Sequence, residues 1–299
     1  MKKKEVHEKR ISLESKSHNL QQEWDKVMLA RNLGRPKGRY YIENIFNNFI
    51  ELHGDRYYAD DETIIGGIGK IGEHTVTFIV QNKGTNLQEN IKRHFGMSYP
   101  ESYRKANRLM KQAEKFRRPI VCLIDTPGAY CGVEAEVRGQ SEAIASTLKQ
   151  MFCLRVPIIS GIIGEGAGSG ALTLAIADRV FMQQNAIYSI LSPEAFASIL
   201  WKDVNRKNEA LAKMKVTAKE LLEDNIIDDI LLEPNGGAHK DPEGAASILQ
   251  QYIITQLNIL KQQSPDKLIE NRYNRYRVYG LYREEIKCEE VKGMWSRKR

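Results

Sequence analysis

The chain has 299 residues, of which 41% are hydrophobic and 28% charged, and its formal net charge is +7 at pH 7. A chain of this length and apolar content can bury a core of one or two domains. No stretch approaches the roughly 18 consecutive apolar residues of a membrane-spanning helix, and the charged first residues lack the apolar region of a secretory signal. The sequence therefore predicts a cytoplasmic protein that does not cross a membrane.

The cysteines give a second indication of the cellular compartment. Cys122, Cys131, Cys153 and Cys288 contain no C-x-x-C pair, and Cys122 and Cys153 lie in apolar surroundings. This pattern is typical of free thiols in a reducing compartment. A zinc site formed by this chain alone is not expected.

Residues 1–39 form a basic leader, with eleven lysines and arginines against five acidic residues. Apolar spacing predicts a helix from about Ile11 to Leu33, which ends at the GRPKGR segment. A solvated helix or a frayed tail is the favoured interpretation, with contact to an anionic ligand or an acidic partner as the alternative. Nucleic-acid binding is disfavoured because no stacking aromatics are interleaved with the basic residues on a folded face.

The next elements predict an α/β domain over residues 40–263. A second amphipathic helix carries apolar residues from Ile42 to Leu52, after which short strands and helices alternate, as in folds with parallel strands. The predicted strands are the apolar runs VTFIV, IVCLI, IISGII and RVFM, with a last strand at ILLEP. The predicted helices cover about residues 100–116, 139–152, 193–200 and 245–262. Residues 264–299 have no core pattern and predict a polar extension.

Two segments share one unusual pattern, in which a buried strand runs into a glycine-rich turn that opens a helix. The first glycine turn is PGAYCG (residues 127–132) and the second is GEGAGSGA (residues 164–171). The first N–H groups of a helix lack intrahelical acceptors, and the helix dipole makes them attractive to an anion. Together the two turns predict an oxyanion or phosphate site, although glycines that serve only close packing remain the alternative.

Other interpretations of the second turn are weaker. It lacks the G-K-[ST] ending of a Walker A loop, and a single G-x-G is insufficient for a dinucleotide fingerprint. Ser169 as a nucleophile is disfavoured because the sequence around it lacks the glycines of a nucleophile elbow and the only later histidine is His239. Glu165 is interpreted either as an acid or base or as a structural carboxylate that fixes the turn.

Seven stretches carry more information than any single motif: RYYIENIFNNFIELHGDRYYADDETIIGGIG, NIKRHFGMSYPESYRKANRLMKQAEKF, IDTPGAY, RGQSEAIA, IIGEGAGSGAL, YSILSPEAFASILWKD and EPNGGAHKDP. Together they cover roughly residues 40–280 and closely resemble the α subunit of bacterial acetyl-CoA carboxylase carboxyltransferase. The resemblance implies an α/β crotonase-like (ClpP/crotonase) superhelix of ββα units, with helical extensions at both ends.

The resemblance also implies the activity and the partners. The carboxyl group would move from carboxybiotin to acetyl-CoA, giving malonyl-CoA for fatty acid synthesis. A zinc-bearing β subunit would complete an α2β2 heterotetramer, a biotin carboxyl carrier protein would deliver the biotin, and biotin carboxylase would load it. No metal is assigned to this chain, and nothing in the sequence marks a biotin attachment site.

Applied residue by residue, the resemblance implies one oxyanion hole in this chain. The amides of Ser169, Gly170 and Ala171, with help from Gly128 and Ala129, would hold the ureido oxygen of biotin. The implied substrate-binding residues are Lys83, Gly166, Lys92 and Arg93. Lys83 would anchor the carboxylate in transfer, with a solvated lysine as the alternative. Lys92 and Arg93 would meet phosphates of coenzyme A or the acidic partner, with a solvated face as the alternative.

Some positions depart from the family pattern, and two other functions stay open. Cys131, Glu134, Ala167 and Ser169 replace the usual residues, and alanine at 167 is harmless only if its φ is negative. One alternative is a self-contained crotonase-like acyl-CoA hydratase or isomerase that uses Glu134 or Glu165 as acid or base. The other is a non-catalytic binding or regulatory subunit whose leader makes the contacts.

Overall fold

The computed structural model describes residues 24–280. At its centre, these residues form one eight-stranded sheet in the order β1-β2-β3-β4-β5-β6-β8, with β7 paired to β5 beside this path. The strands are β1 (Asn47–Glu51), β2 (Ile64–Ile71), β3 (His74–Gln81), β4 (Ile120–Thr126), β5 (Ile158–Ala167), β6 (Arg179–Gln183), β7 (Ile187–Ser189) and β8 (Asp229–Leu231). β1, β2 and β3 pair antiparallel, and all later pairings are parallel.

Helices cover both faces of this sheet. They are α1 (residues 24–30), α2 (Gly38–Ile45), α3 (Leu87–Lys92), α4 (Pro100–Lys115), α5 (Val133–Val137), α6 (Gln140–Cys153), α7 (Gly168–Ala175), α8 (Pro193–Trp201), α9 (Lys207–Leu211), α10 (Ala218–Glu223), α11 (Pro242–Leu260) and α12 (Pro265–Arg277). Short 3-10 turns lie at His94–Gly96, Val204–Arg206 and Pro234–Gly236.

The alternation of side chains along β4 shows how the sheet divides the core. Cys122 and Ile124 face a cluster formed with α4, α6 and α7, whereas Val121 and Leu123 face a second cluster formed with α2 and α11. All four side chains are fully buried. A strand buried on both faces reads as a continuous apolar run, which explains why IVCLI was recognisable in the sequence.

The predicted strands and the four later helices are all present, with ends that differ by a few residues. The second helix is shorter than predicted: α2 ends at Ile45, and residues 47–51 form β1. Asn48 has a positive φ of 48°, and β1 pairs with β2, so backbone pairing replaces the expected helix. The apolar spacing predicted a longer helix, but Phe46 and Phe49 reach the core from non-helical positions, where both pack on Phe78 of β3.

The polar extension begins with α12, a helical extension of the kind that the resemblance implied, although its residues show no core pattern in the sequence. Within α12, Leu268 and Arg272 are buried, and the Arg272 guanidinium pairs with Asp178 at 2.9 Å. Arg272 also donates to the carbonyl oxygens of Met151 and Leu154. An arginine satisfies its several donors by binding carbonyl and carboxylate oxygens together, so a polar sequence can still dock on a core.

Residues 24–39 of the basic leader pack on the domain. Val27 and Ala30 of α1 are buried in a small cluster with Leu211 and Met214. The first part of the predicted leader helix, up to residue 23, lies outside the described residues. The sequence set the boundary at residue 39, but packing continues across that position.

Candidate functional site

The second glycine turn joins β5 to α7. β5 ends at Ala167, and α7 begins at Gly168, which has a positive φ of 62°. The N–H groups of Gly168, Ser169 and Gly170 lie in the first turn of the helix and have no intrahelical acceptor. No side chain caps this helix start in their place. Ser169 is exposed, which leaves this end of the helix open to a ligand.

The first glycine turn lies directly against the second. A Cβ on Gly170 would stand 2.6 Å from the Ala129 nitrogen and 2.6 Å from the Gly128 carbonyl carbon, closer than real Cβ atoms come. The Gly170 carbonyl is held from behind by the Gln81 side-chain amide at 2.9 Å. Only glycine permits this approach, so the backbones of the two turns are in direct contact.

The five predicted donors are not equivalent. The Gly128 N–H already donates to the Thr126 hydroxyl at 3.1 Å. Ala171 is the fourth residue of α7, where the first intrahelical hydrogen bond forms, so its N–H is also engaged. Both residues are thus poorly suited to donate to a ligand. Ser169, Gly170 and Ala129 keep N–H groups without an acceptor among residues 24–280, and their role as donors stays a prediction.

All four departures from the family pattern lie within the described residues, with Glu134 in α5 and Ser169 in α7. Ala167 has φ −133°, an extended conformation that alanine adopts without strain. Cys131 lies in the first turn, and its side chain is exposed. The substitution at 167 therefore does not distort the second turn.

Gly166 lies inside β5 and not at the open end of the turn. It pairs with Thr126 of β4 and Tyr188 of β7, and a Cβ there would stand 3.1 Å from the Tyr188 ring. Its backbone is thus used by the sheet on both sides. Close packing against Tyr188 therefore accounts for a glycine at this position. Substrate contact by Gly166 stays a prediction.

Lys83 follows β3 and is held between two buried carboxylates. Its ammonium nitrogen lies 3.0 Å from Asp125 Oδ1 and 3.0 Å from Glu165 Oε2, and the side chain is only 13% exposed. Burial by itself lowers the pKa of Lys83, but the two carboxylates outweigh burial and raise it. The alternative of a solvated lysine is wrong. The expectation that Lys83 anchors a substrate carboxylate stays a prediction, and the structure adds that two internal carboxylates already pair with its ammonium group.

Asp125 and Glu165 connect this ion pair to the second turn. The Glu165 N–H donates to Asp125 Oδ1 at 3.0 Å, so the carboxylate of Asp125 fixes the backbone near the start of the second turn. Burial alone raises the pKa of Asp125, but Lys83 and Lys37 outweigh it and lower the pKa. Glu165 also pairs with Arg31 at 2.8 Å. These contacts favour the structural role of Glu165 over an acid or base role.

A cavity of about 700 Å³ lies beside these groups. Its polar lining includes Arg31, Lys37 and Lys83, and Gly168 of the second turn lies on its wall. Its apolar lining comprises Leu33, Leu87, Phe95, Pro127, Ile190, Leu191 and Ala195. A largely apolar pocket with a few convergent polar groups is the usual form of a small-molecule site.

Lys92 and Arg93 do not line this cavity. Lys92 pairs with Glu62 at 2.5 Å, and Arg93 pairs with Glu89 at 2.9 Å. Surface pairs of this kind add little to stability. Contact of Lys92 and Arg93 with a phosphate or a partner subunit therefore stays a prediction.

Sequence reasoning missed the contribution of the leader to this site. Arg31 bridges Glu165 and Glu194, at 2.8 Å to each carboxylate. Arg35 pairs with Glu233 at 2.6 Å and is almost fully buried. The only available signal was a run of cations interrupted by glycine and proline in RNLGRPKGR, which does not distinguish a buried network from a solvated tail.

Among the residues that the structure describes, no group of three or more His, Cys, Asp and Glu side chains is arranged to hold a metal ion. None of the helices between residues 24 and 280 is long and apolar enough to cross a membrane.

The fold is that of crotonase-like carboxyltransferases. A Pseudomonas malonate decarboxylase hetero-tetramer in complex with coenzyme A contains a chain that matches with a TM-score of 0.64 and 14% identity, over 86% of this chain and 99% of that one. Transcarboxylase 12S matches with a TM-score of 0.58 and 18% identity, over 75% of this chain. The matched part is 44% of the transcarboxylase chain.

Sequence similarity then defines the family. Residues 2–280 match the family described as acetyl co-enzyme A carboxylase carboxyltransferase-like, and the chain belongs to it. The acetyl-coenzyme A carboxylase carboxyl transferase subunit alpha of Clostridium botulinum is 54% identical over 86% of this chain and 94% of its own length. A Clostridium tetani protein named for subunits beta/alpha is 54% identical over 87% of this chain, which spans 45% of that protein.

Proposed function

We propose that this chain is the α subunit of an acetyl-CoA carboxylase carboxyltransferase, which moves a carboxyl group from N-carboxybiotin to the methyl carbon of acetyl-CoA. The observation that carries the proposal is the contact between two glycine turns, each of which contributes a residue, Pro127 or Gly168, to the wall of one cavity. Family membership supports the choice of substrates.

The chemistry requires fixed donors more than it requires a protein base. Loss of the carboxyl group leaves negative charge on the ureido oxygen of the biotin substrate, and the ureido nitrogen then accepts the methyl proton of acetyl-CoA. The thioester enolate attacks the carbon dioxide and gives malonyl-CoA. The N–H groups of Ser169, Gly170 and Ala129 donate to the ureido oxygen. Donors already in place are among the largest catalytic contributions.

The buried ion network keeps these donors in position. Asp125 holds the Glu165 amide, and Lys83 and Arg31 hold the Glu165 carboxylate. The turn therefore cannot relax when charge develops on the substrate, which is the requirement for electrostatic preorganisation. In this proposal neither Glu165 nor Lys83 exchanges a proton with substrate.

A separate β subunit completes the site in this proposal. The α subunit supplies one oxyanion hole, and the partner supplies the other together with its zinc, in an α2β2 heterotetramer. The Clostridium tetani relative named for both subunits in one chain supports the association. Biotin arrives on a carrier protein after loading by biotin carboxylase.

The proposal is tested by copurifying the chain with a candidate β subunit and measuring malonyl-CoA-dependent carboxylation of biotin. The assembled pair is expected to be active, and each subunit alone is expected to be inactive. Incubation of the isolated chain with crotonyl-CoA is the control for a self-contained acyl-CoA enzyme. Hydration of crotonyl-CoA by this chain alone, or full carboxyl transfer without the β subunit, would contradict the proposal.

A further inference from the structure

Lys37 is a buried cation on the cavity wall. The residue is 5% exposed and lines the same cavity as Gly168 of the second turn. Its ammonium nitrogen donates to the Asn32 carbonyl oxygen at 3.1 Å. Because an ammonium has three donors, most of its hydrogen-bonding capacity stays available.

The other two cations of the cavity wall are already neutralised. Arg31 binds two carboxylates, and Lys83 binds two. Among residues 24–280, Lys37 has no carboxylate within the 4.0 Å that defines an ion pair. Buried charges in proteins are normally paired because removing an unpaired ion from water is costly. Lys37 is therefore an exception that a bound anion would resolve.

The backbone holds Lys37 at this place. Gly38 lies so close to β3 that a Cβ would stand 2.4 Å from the Gln81 carbonyl oxygen. The Arg39 N–H donates to the Asn82 side chain at 2.9 Å. The leader is thus fixed to the end of β3 directly after the lysine, so the backbone position of Lys37 does not depend on its own side-chain contacts.

We infer that Lys37 binds the carboxylate that is in transfer, the role that the resemblance implied for Lys83. The inference rests on the proposed function and names the residue that receives the carboxylate of malonyl-CoA. The carboxylate lies against Lys37 while the oxyanion of the same reaction lies against the second turn, since Lys37 lines the same cavity as Gly168, the residue directly before the proposed donors Ser169 and Gly170.

The electrostatics agree with this assignment. Burial lowers the pKa of Lys37; Asp125 opposes this effect, Lys83 and Arg35 lower the pKa further, and Glu165 also acts to raise it, with a net lowering. An anion bound at the ammonium group favours its charged form and so opposes the lowering of the pKa. A carboxylate bound there gains a charge-assisted hydrogen bond that acetyl-CoA cannot form.

The experiment compares two ligands that differ only in this carboxylate. Calorimetric titration of the assembled α and β subunits with malonyl-CoA and acetyl-CoA, without biotin, gives both dissociation constants. Lys37→Met is expected to weaken malonyl-CoA binding roughly 10- to 100-fold, the value of a hydrogen bond to a charged group, with acetyl-CoA binding changed less than about threefold. Lys37→Arg keeps the charge and is expected to retain most of the malonyl-CoA affinity. Lys219→Met removes an exposed lysine elsewhere on the chain and is expected to change neither constant.

Thermal unfolding of the variants separates binding from folding. Lys37→Met removes a buried charge without a carboxylate partner, so its Tm is expected to equal or exceed that of the parent. Equal losses for both ligands, no loss for either, or a lower Tm of Lys37→Met would overturn the assignment. If the unsubstituted complex bound neither thioester, the proposed function itself would fail, and the inference with it.

Discussion

Substitution of Gly170 is the sharpest test of the oxyanion site. In Gly170→Ala, the new methyl group would lie 2.6 Å from the Ala129 nitrogen and 2.6 Å from the Gly128 carbonyl carbon, against a practical limit of 3.0 Å. Both neighbours are backbone atoms and cannot rotate away. The two turns must therefore separate by several tenths of an ångström, which displaces the donor groups of both.

The expected loss follows from this displacement. Loss of one oxyanion donor costs about 10²- to 10³-fold in rate, and a misplacement of about 1 Å costs about 10²-fold. Gly170→Ala is expected to lower kcat about 10²-fold, and Gly170→Val at least as much. Ser169→Ala keeps its N–H and removes only an exposed hydroxyl, so its kcat is expected to stay within a few-fold of the parent.

The assay is steady-state carboxyl transfer from malonyl-CoA to biotin by the assembled α and β subunits. Copurification and Tm of each variant show that the subunit still folds and binds its partner. An inactive Ser169→Ala together with an active Gly170→Ala would refute the reasoning, because the hydroxyl and not the amide would then be the reacting group.

Three further predictions concern stability and the leader. Asp125→Asn is expected to destabilise the subunit at pH 7 by about 3–5 kcal/mol in denaturant unfolding, the cost of breaking a buried ion pair. Because the folded-state pKa of Asp125 is lowered, its contribution is complete above about pH 4 and is lost as the pH falls further, so the difference from the parent should shrink in acid. Arg272→Met leaves Asp178 buried without its partner and is expected to cost about 3–5 kcal/mol by the same assay. Deletion of residues 1–39 is expected to abolish carboxyl transfer, whereas deletion of residues 1–23 keeps every contact described above and is expected to preserve it.

Each of these predictions has a contradictory outcome. An Asp125→Asn difference that is constant from pH 7 to pH 3 would show that its carboxylate does not titrate with a lowered pKa. An unchanged unfolding midpoint for Arg272→Met would show that α12 docks without its ion pair. Full activity after deletion of residues 1–39 would return the leader to the peripheral role that the sequence suggested.

The sequence alone determined the features that depend on local patterns. The apolar runs of β4 and β5 marked buried strands, because a strand covered on both faces is apolar throughout. The two glycine turns marked helix starts that could receive an anion, because glycine and an uncapped helix start act locally. Family resemblance added the substrates, which no local pattern contains.

Only the tertiary structure decided which of the predicted groups are free to act. Gly128 and Lys83 looked available in the sequence, but Thr126 and two carboxylates occupy them in the fold. Lys37 looked like part of a solvated leader, yet it lies on the cavity wall without a carboxylate partner among the described residues. Whether a charge is neutralised depends on residues more than 80 positions away in the chain, such as Glu165 for Lys83. Local sequence cannot encode these distances, because they arise when strands and the leader pack together around one sheet.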